Sequence, residues 1–68
     1  MSAVTIDQQI AEVGREIGLR RKLFPGFIAR GKLTQAAAAE HLARMEAAYD
    51  TLKAVRDNPA ALMRDDGK

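Results

Sequence analysis

The chain has 68 residues, no cysteine and one histidine, His41, which bounds it to a single domain and excludes both a disulfide framework and a zinc site of the Cys/His type. A chain this short buries a small fraction of its surface and is only marginally stable on its own, and with disulfide and metal excluded, self-association is the support that remains. The net charge of +2 is low for a duplex-DNA reader and unevenly placed: residues 15–32 carry six cations (Arg15, Arg20, Arg21, Lys22, Arg30, Lys32) and one anion (Glu16), against five cations and eight anions elsewhere.

The first predicted element is a helix over residues 5–24. Thr5 is its cap, and Asp7 puts negative charge in the opening turn, at the positive end of the helix dipole. Ile6, Ile10, Val13, Ile17 and Phe24 recur at helical spacing as one apolar seam, with Arg20 at the site expected between the last two. Pro25 and Gly26 are expected to end the helix, because proline cannot continue a helix interior and disfavours helical geometry at Phe24. Two further sets stand on its other faces. Ala11, Gly14 and Gly18 form a small-residue face on which each glycine costs about 1 kcal/mol of helix propensity. Such a face suits either the close approach of another helix or a groove where a ligand meets bare backbone. Leu19 and Leu23, one turn apart, lie opposite the seam, where a two-helix hairpin cannot cover them. They are expected to meet both Leu62 and Met63 near the C-terminus and another subunit, the four forming the oligomer interface.

Residues 24–34 read as an ordered elbow. Pro25 suits the first position of a short helical turn, Gly31 closes it in the left-handed conformation, and Leu33 folds back against it, with Phe27 and Ile28 anchored inward. Thr34 caps a second helix over residues 34–56, whose seam is Ala38, Leu42, Met45, Tyr49 and Leu52, with Arg56 at the next step. The two seams share one repeat, so the helices are expected to fold back antiparallel, with small Ala38 opposite bulky Phe24 and Leu52 opposite Ile6. Asn58 followed by Pro59 signals a last short turn over residues 59–64, and residues 65–68 are expected to fray. The fold class is therefore all-α: an antiparallel helical hairpin, residues 1–68 forming one domain, and oligomeric.

No Ser/His/acid or Cys/His set, phosphate-cradling loop or flanked carboxylate pair is present, so the expectation is a non-enzymatic protein with no cofactor and no metal. His41, at the edge of the second seam, reads as a boundary residue, hydrogen-bonded or solvated. The six cations of the elbow end admit two readings, a solvated surface or an anion site. Arg20 favours the second, since a charge at a seam position must snorkel out or meet an acidic partner. In an oligomer, Arg20, Arg21 and Arg30 can fork onto phosphate oxygens or meet an acidic host surface. Nucleic acid is the less favoured partner, because Phe24, Phe27 and Tyr49 are all claimed by the core. Residues 1–30 show no secretory signal pattern, and no run approaches the ~20 apolar residues of a membrane span, so a soluble, cytoplasmic protein is expected.

The stretch from Arg20 to Ala36, Arg-Arg-Lys-Leu-Phe-Pro-Gly-Phe-Ile-Ala-Arg-Gly-Lys-Leu-Thr-Gln-Ala, with Met45-Glu46-Ala47 downstream, resembles a group of short, largely uncharacterised phage and prophage proteins. These share an Arg-rich helix, an aromatic-Pro-x-aromatic corner, a Gly-Lys-Leu-Ser/Thr-Gln step and a Met-Glu-Ala helix. The resemblance covers roughly residues 8–56, and the chain departs from it in having Phe24 and Phe27 where Tyr and Trp are common. It implies a phage accessory protein acting stoichiometrically in the host cytoplasm, for example by inhibiting a defence protein or sequestering a signalling nucleotide. A nucleic-acid-binding regulator and a purely structural subunit are the alternatives it leaves open.

Overall fold

The computed structural model describes residues 3–60, which form two helices packed against each other, α1 (Ile6–Ala29) and α2 (Gln35–Asp57), and no strand. Both helices start at a threonine cap. The Thr5 hydroxyl accepts from the Gln8 amide at 3.0 Å and the Gln8 side chain accepts in return from the Thr5 amide at 2.9 Å, a reciprocal box that satisfies two otherwise unpaired donors. The Thr34 hydroxyl accepts from the Ala37 amide at 3.0 Å.

The end of α1 differs from expectation. Pro25 lies inside the helix, which runs on to Ala29 rather than stopping at Phe24. Proline in a helix interior costs about 3 kcal/mol, through the clash of its ring with the carbonyl four residues back and the hydrogen bond that carbonyl loses. Pro25 is exposed, so water can serve that carbonyl, and its ring keeps φ in the helical range. Continuing the helix half-buries Phe24, Phe27 and Ile28. At about 1.5–3 kcal/mol for full burial of each, that packing is large enough to offset the proline.

The helix stops where glycine permits it. Gly31 has φ +74°, its amide donates to the Ile28 carbonyl at 3.0 Å, and the Lys32 amide donates to the Phe27 carbonyl at 2.9 Å. This pair of bonds is the Schellman closure, which needs a left-handed residue at that position. The true elbow is therefore residues 30–34, shorter than the expected 24–34, and Leu33 folds back half-buried over it.

Cross-helix contacts fix an antiparallel register. Arg56 lies 3.9 Å from Asp7 at the open end, the Tyr49 ring lies beside Gly14 midway, and His41 meets Arg20 and Phe24 near the elbow. The seams face each other as their spacing requires, but the core is thin. Among the described residues only Ile10, Ile17 and Ala38 are buried, while Ile6, Val13, Phe24, Leu42, Met45, Tyr49 and Leu52 are half-buried. Leu19 and Leu23 remain 39% and 49% exposed. The expected C-terminal turn at 59–64 falls from residue 61 onward outside the described residues, as do Leu62, Met63 and the tail at 65–68. Among the described residues no helix is long and apolar enough to cross a membrane.

Candidate binding surface at the elbow

Three α1 residues one turn or less apart, Arg20, Phe24 and Phe27, face Lys32 and Leu33 of the elbow and Ala37 and His41 of α2. Together they line an open cleft of about 590 Å³. Helical geometry places Arg20 and Phe24 on one stripe, and the extra turn of helix past Pro25 brings Phe27 onto the same wall. The two phenylalanine ring centres sit 6.4 Å apart, and the His41 and Phe24 ring centres lie 5.5 Å apart in a T-shaped arrangement. Arg30 stacks over the other side of the corner, 5.4 Å from the Phe27 ring centre.

A polar chain runs along the cleft wall. The Arg20 Nε donates to His41 Nε2 at 3.0 Å, and its guanidinium also pairs with the Glu16 carboxylate one turn earlier. Glu16 also receives Arg15 at 2.8 Å. The hydrogen bond from Arg20, aided by the charges of Arg20 and Arg15, holds the Glu16 carboxyl below its ordinary value of 4.5 despite an opposing contribution from burial.

The six cations do not converge on one point. Arg15 is engaged by Glu12 and Glu16, Arg20 by Glu16, and Arg21 reaches across to Glu46 on α2. Among the described residues, Lys22, Arg30 and Lys32 form no ion pair. Lys32 lines the cleft.

The small-residue face divides in two. A β-carbon at Gly14 would stand 3.1 Å from Tyr49 Cε1, so this glycine lets the tyrosine ring lie against the α1 backbone. A β-carbon at Gly18 would meet nothing within 4 Å, and Ala11 is exposed. Gly14 and Gly18 share a smaller groove, of about 370 Å³, with Arg21, Glu46, Asp50 and Lys53, in which charges of both signs alternate. On the opposite flank, Leu19 and Leu23 continue the phenylalanine wall through Glu16 and Arg20.

Sequence reasoning named Arg20 and Lys32 but missed Phe27, Leu33, Ala37 and His41 as their neighbours. The usable signal was the seam itself: with Arg20 on one repeat and His41 at the edge of the other, antiparallel pairing sets them face to face. Among the described residues, no group of three or more His, Asp or Glu side chains is arranged to hold a metal ion. Comparison of the chain with protein-family models, curated proteins and solved structures found no match.

Proposed function

We propose that the chain is a non-enzymatic phage accessory protein that works as a homo-oligomer and takes an acidic segment of a host protein in its elbow cleft, sequestering that target without turnover. The observation that carries this reading is the cleft's composition: an apolar floor of Phe24, Phe27, Leu33 and Ala37, with Arg20, Lys32 and His41 as polar groups along it. Clefts of this size that bind ligands combine mostly apolar walls with a few convergent polar groups. The resemblance of residues 20–36 to phage proteins supports the host-side, cytoplasmic setting.

An acidic protein segment is favoured over a phosphate-bearing signalling molecule and over nucleic acid by the state of the arginines. A phosphate cluster wants several unengaged donors at one point, and Arg15, Arg20 and Arg21 already hold carboxylates. A carboxylate beside an aromatic or aliphatic anchor asks for less, namely Lys32 and a share of Arg20. One aromatic anchor burying about 150–250 Å² contributes roughly 4–6 kcal/mol, short of the ~8 kcal/mol that micromolar affinity requires. Two elbows on one oligomer add avidity for a host target that presents two such segments.

Calorimetric titration with acidic peptides bearing one Phe or Trp, with cyclic nucleotides, and with short DNA and RNA, at low and high salt, tests the reading. It predicts peptide binding that weakens only modestly with salt and is lost in Lys32→Glu. Binding of nucleic acid with a steep salt slope would replace this reading by the nucleic-acid one, and saturable binding of a cyclic nucleotide alone would replace it by the signalling-molecule one.

A further inference from the structure

The solvent face of α1 carries Glu12, Leu19 and Leu23, and Arg30 at its C-cap follows in the same register, so that spacings of seven, four and seven residues place all four on one stripe away from the seam. All four are exposed, Leu19 at 39% and Leu23 at 49%. The stripe is symmetric in a way that a solvated surface does not require. Leu19 and Leu23 lie two residues on either side of Arg21, and Glu12 and Arg30 lie nine residues on either side of it, with opposite charges at the two ends.

The geometry points to a second copy of this chain as the occupant of that stripe, packed α1 against α1 in antiparallel register about a twofold axis level with Arg21. In that register Leu19 of one copy meets Leu23 of the other, and vice versa. Glu12 of each copy faces Arg30 of the other, so both ends of the interface pair opposite charges. The parallel register sets Glu12 on Glu12 and Arg30 on Arg30, which repels at both ends. The contact span from Glu12 to Arg30 is about 27 Å at the helical rise, long enough for two rows of side chains to interdigitate.

Local charges are consistent with this arrangement. Glu12 pairs within its own chain with Arg15, and Arg30 forms no ion pair among the described residues, so each end offers a carboxylate and a cation that remain solvent-exposed. Gly26, between Leu23 and Arg30, carries no side chain of its own, and the Arg30 guanidinium lies over it, 3.4 Å from where a β-carbon would stand. The apolar wall of Leu19 and Leu23 continues into Phe24 and Phe27, so the dimer would set the two elbow clefts on opposite ends of one continuous surface. This deepens the oligomeric part of the proposed function and is independent of what the elbow binds.

The test is sedimentation equilibrium on the full chain and its variants, with circular dichroism to check helical content. A concentration-dependent monomer–dimer equilibrium is expected for the natural sequence. Leu19→Asp with Leu23→Asp should weaken it at least tenfold while helical content is kept at concentrations where the chain is monomeric. Glu12→Arg alone and Arg30→Glu alone should each weaken dimerisation several-fold, and the double variant Glu12→Arg/Arg30→Glu should recover most of the loss, because the swapped charges meet across the twofold. A strict monomer at millimolar concentration overturns the proposal. So does a dimer indifferent to the leucine changes, or one that the double charge swap does not rescue. Loss of helix in the leucine variant is read against the charge swap, which leaves both leucines in place and decides the matter alone. Lys32→Glu, which addresses the elbow, should leave the sedimentation behaviour unchanged, so the two proposals fail separately.

Discussion

Alanine at Gly14 and at Gly18 separates two glycines that look alike in the sequence. Both are helical positions of α1, one turn apart, and in each the change from glycine gains about 1 kcal/mol of helix propensity. At Gly18 the new methyl meets nothing within 4 Å, so the whole gain should appear. At Gly14 it would stand 3.1 Å from Tyr49 Cε1 and 3.5 Å from the tyrosine oxygen, against a ring whose face carries the Lys53 ammonium at 4.6 Å. Overpacking of this kind costs about 1–3 kcal/mol, which cancels or outweighs the propensity gain. Gly18→Ala should therefore raise the thermal midpoint by about 4–8 °C for a chain of this size, while Gly14→Ala leaves it unchanged or lower. Thermal unfolding followed by circular dichroism at one fixed protein concentration measures both, since self-association makes the midpoint concentration-dependent. Pairing Gly14→Ala with Tyr49→Leu should restore part of the gain. Equal stabilisation by the two alanines would refute the reasoning, for it would mean that Tyr49 does not lie against α1 at Gly14.

Three further outcomes follow from local structure. Gly31→Val should destabilise by roughly 1 kcal/mol or more, because φ +74° is closed to a β-branched residue; an unchanged midpoint in urea titration would contradict the Schellman closure. Pro25→Ala should stabilise by about 1 kcal/mol or more, since a donor is restored inside a helix that already runs through this position; destabilisation would show that the proline is needed to shape the corner. Glu16, held below its ordinary value of 4.5, contributes stability that is present above that value and lost as pH falls through its lowered folded-state pKa, so the unfolding midpoint should drop at acid pH and Glu16→Gln should flatten that drop.

What the sequence disclosed and what it withheld divides by range. Thr5, Thr34 and Gly31 act through the amides of their immediate neighbours, and their capping roles were legible because that chemistry is local. The two seams were legible for the same reason, being periodic. The end of α1 was not. The proline rule is local, whereas the packing of Phe24, Phe27 and Ile28 that overrides it depends on α2 and the elbow lying underneath. The partners of Arg20 and Arg21 were equally hidden, since His41 lies 21 residues from Arg20 and Glu46 lies 25 residues from Arg21, and only the hairpin's register joins them. The basic elbow therefore read from sequence as a field of free cations. In the fold, half of it is neutralised by carboxylates, and what stands open is an apolar cleft with a basic rim.

Nuclear magnetic resonance shift mapping tests the proposed role of that cleft most directly. The chain, labelled with ¹⁵N and ¹³C, is titrated with an acidic peptide bearing one aromatic residue, and the signals of Phe24, Phe27, Leu33 and His41 are compared with those of Val4, Ile6 and Asp57 at the open end. The account predicts saturable shifts confined to the elbow set and abolished by Lys32→Glu. Shifts centred on the open end, or elbow signals unmoved by any acidic peptide, would contradict it.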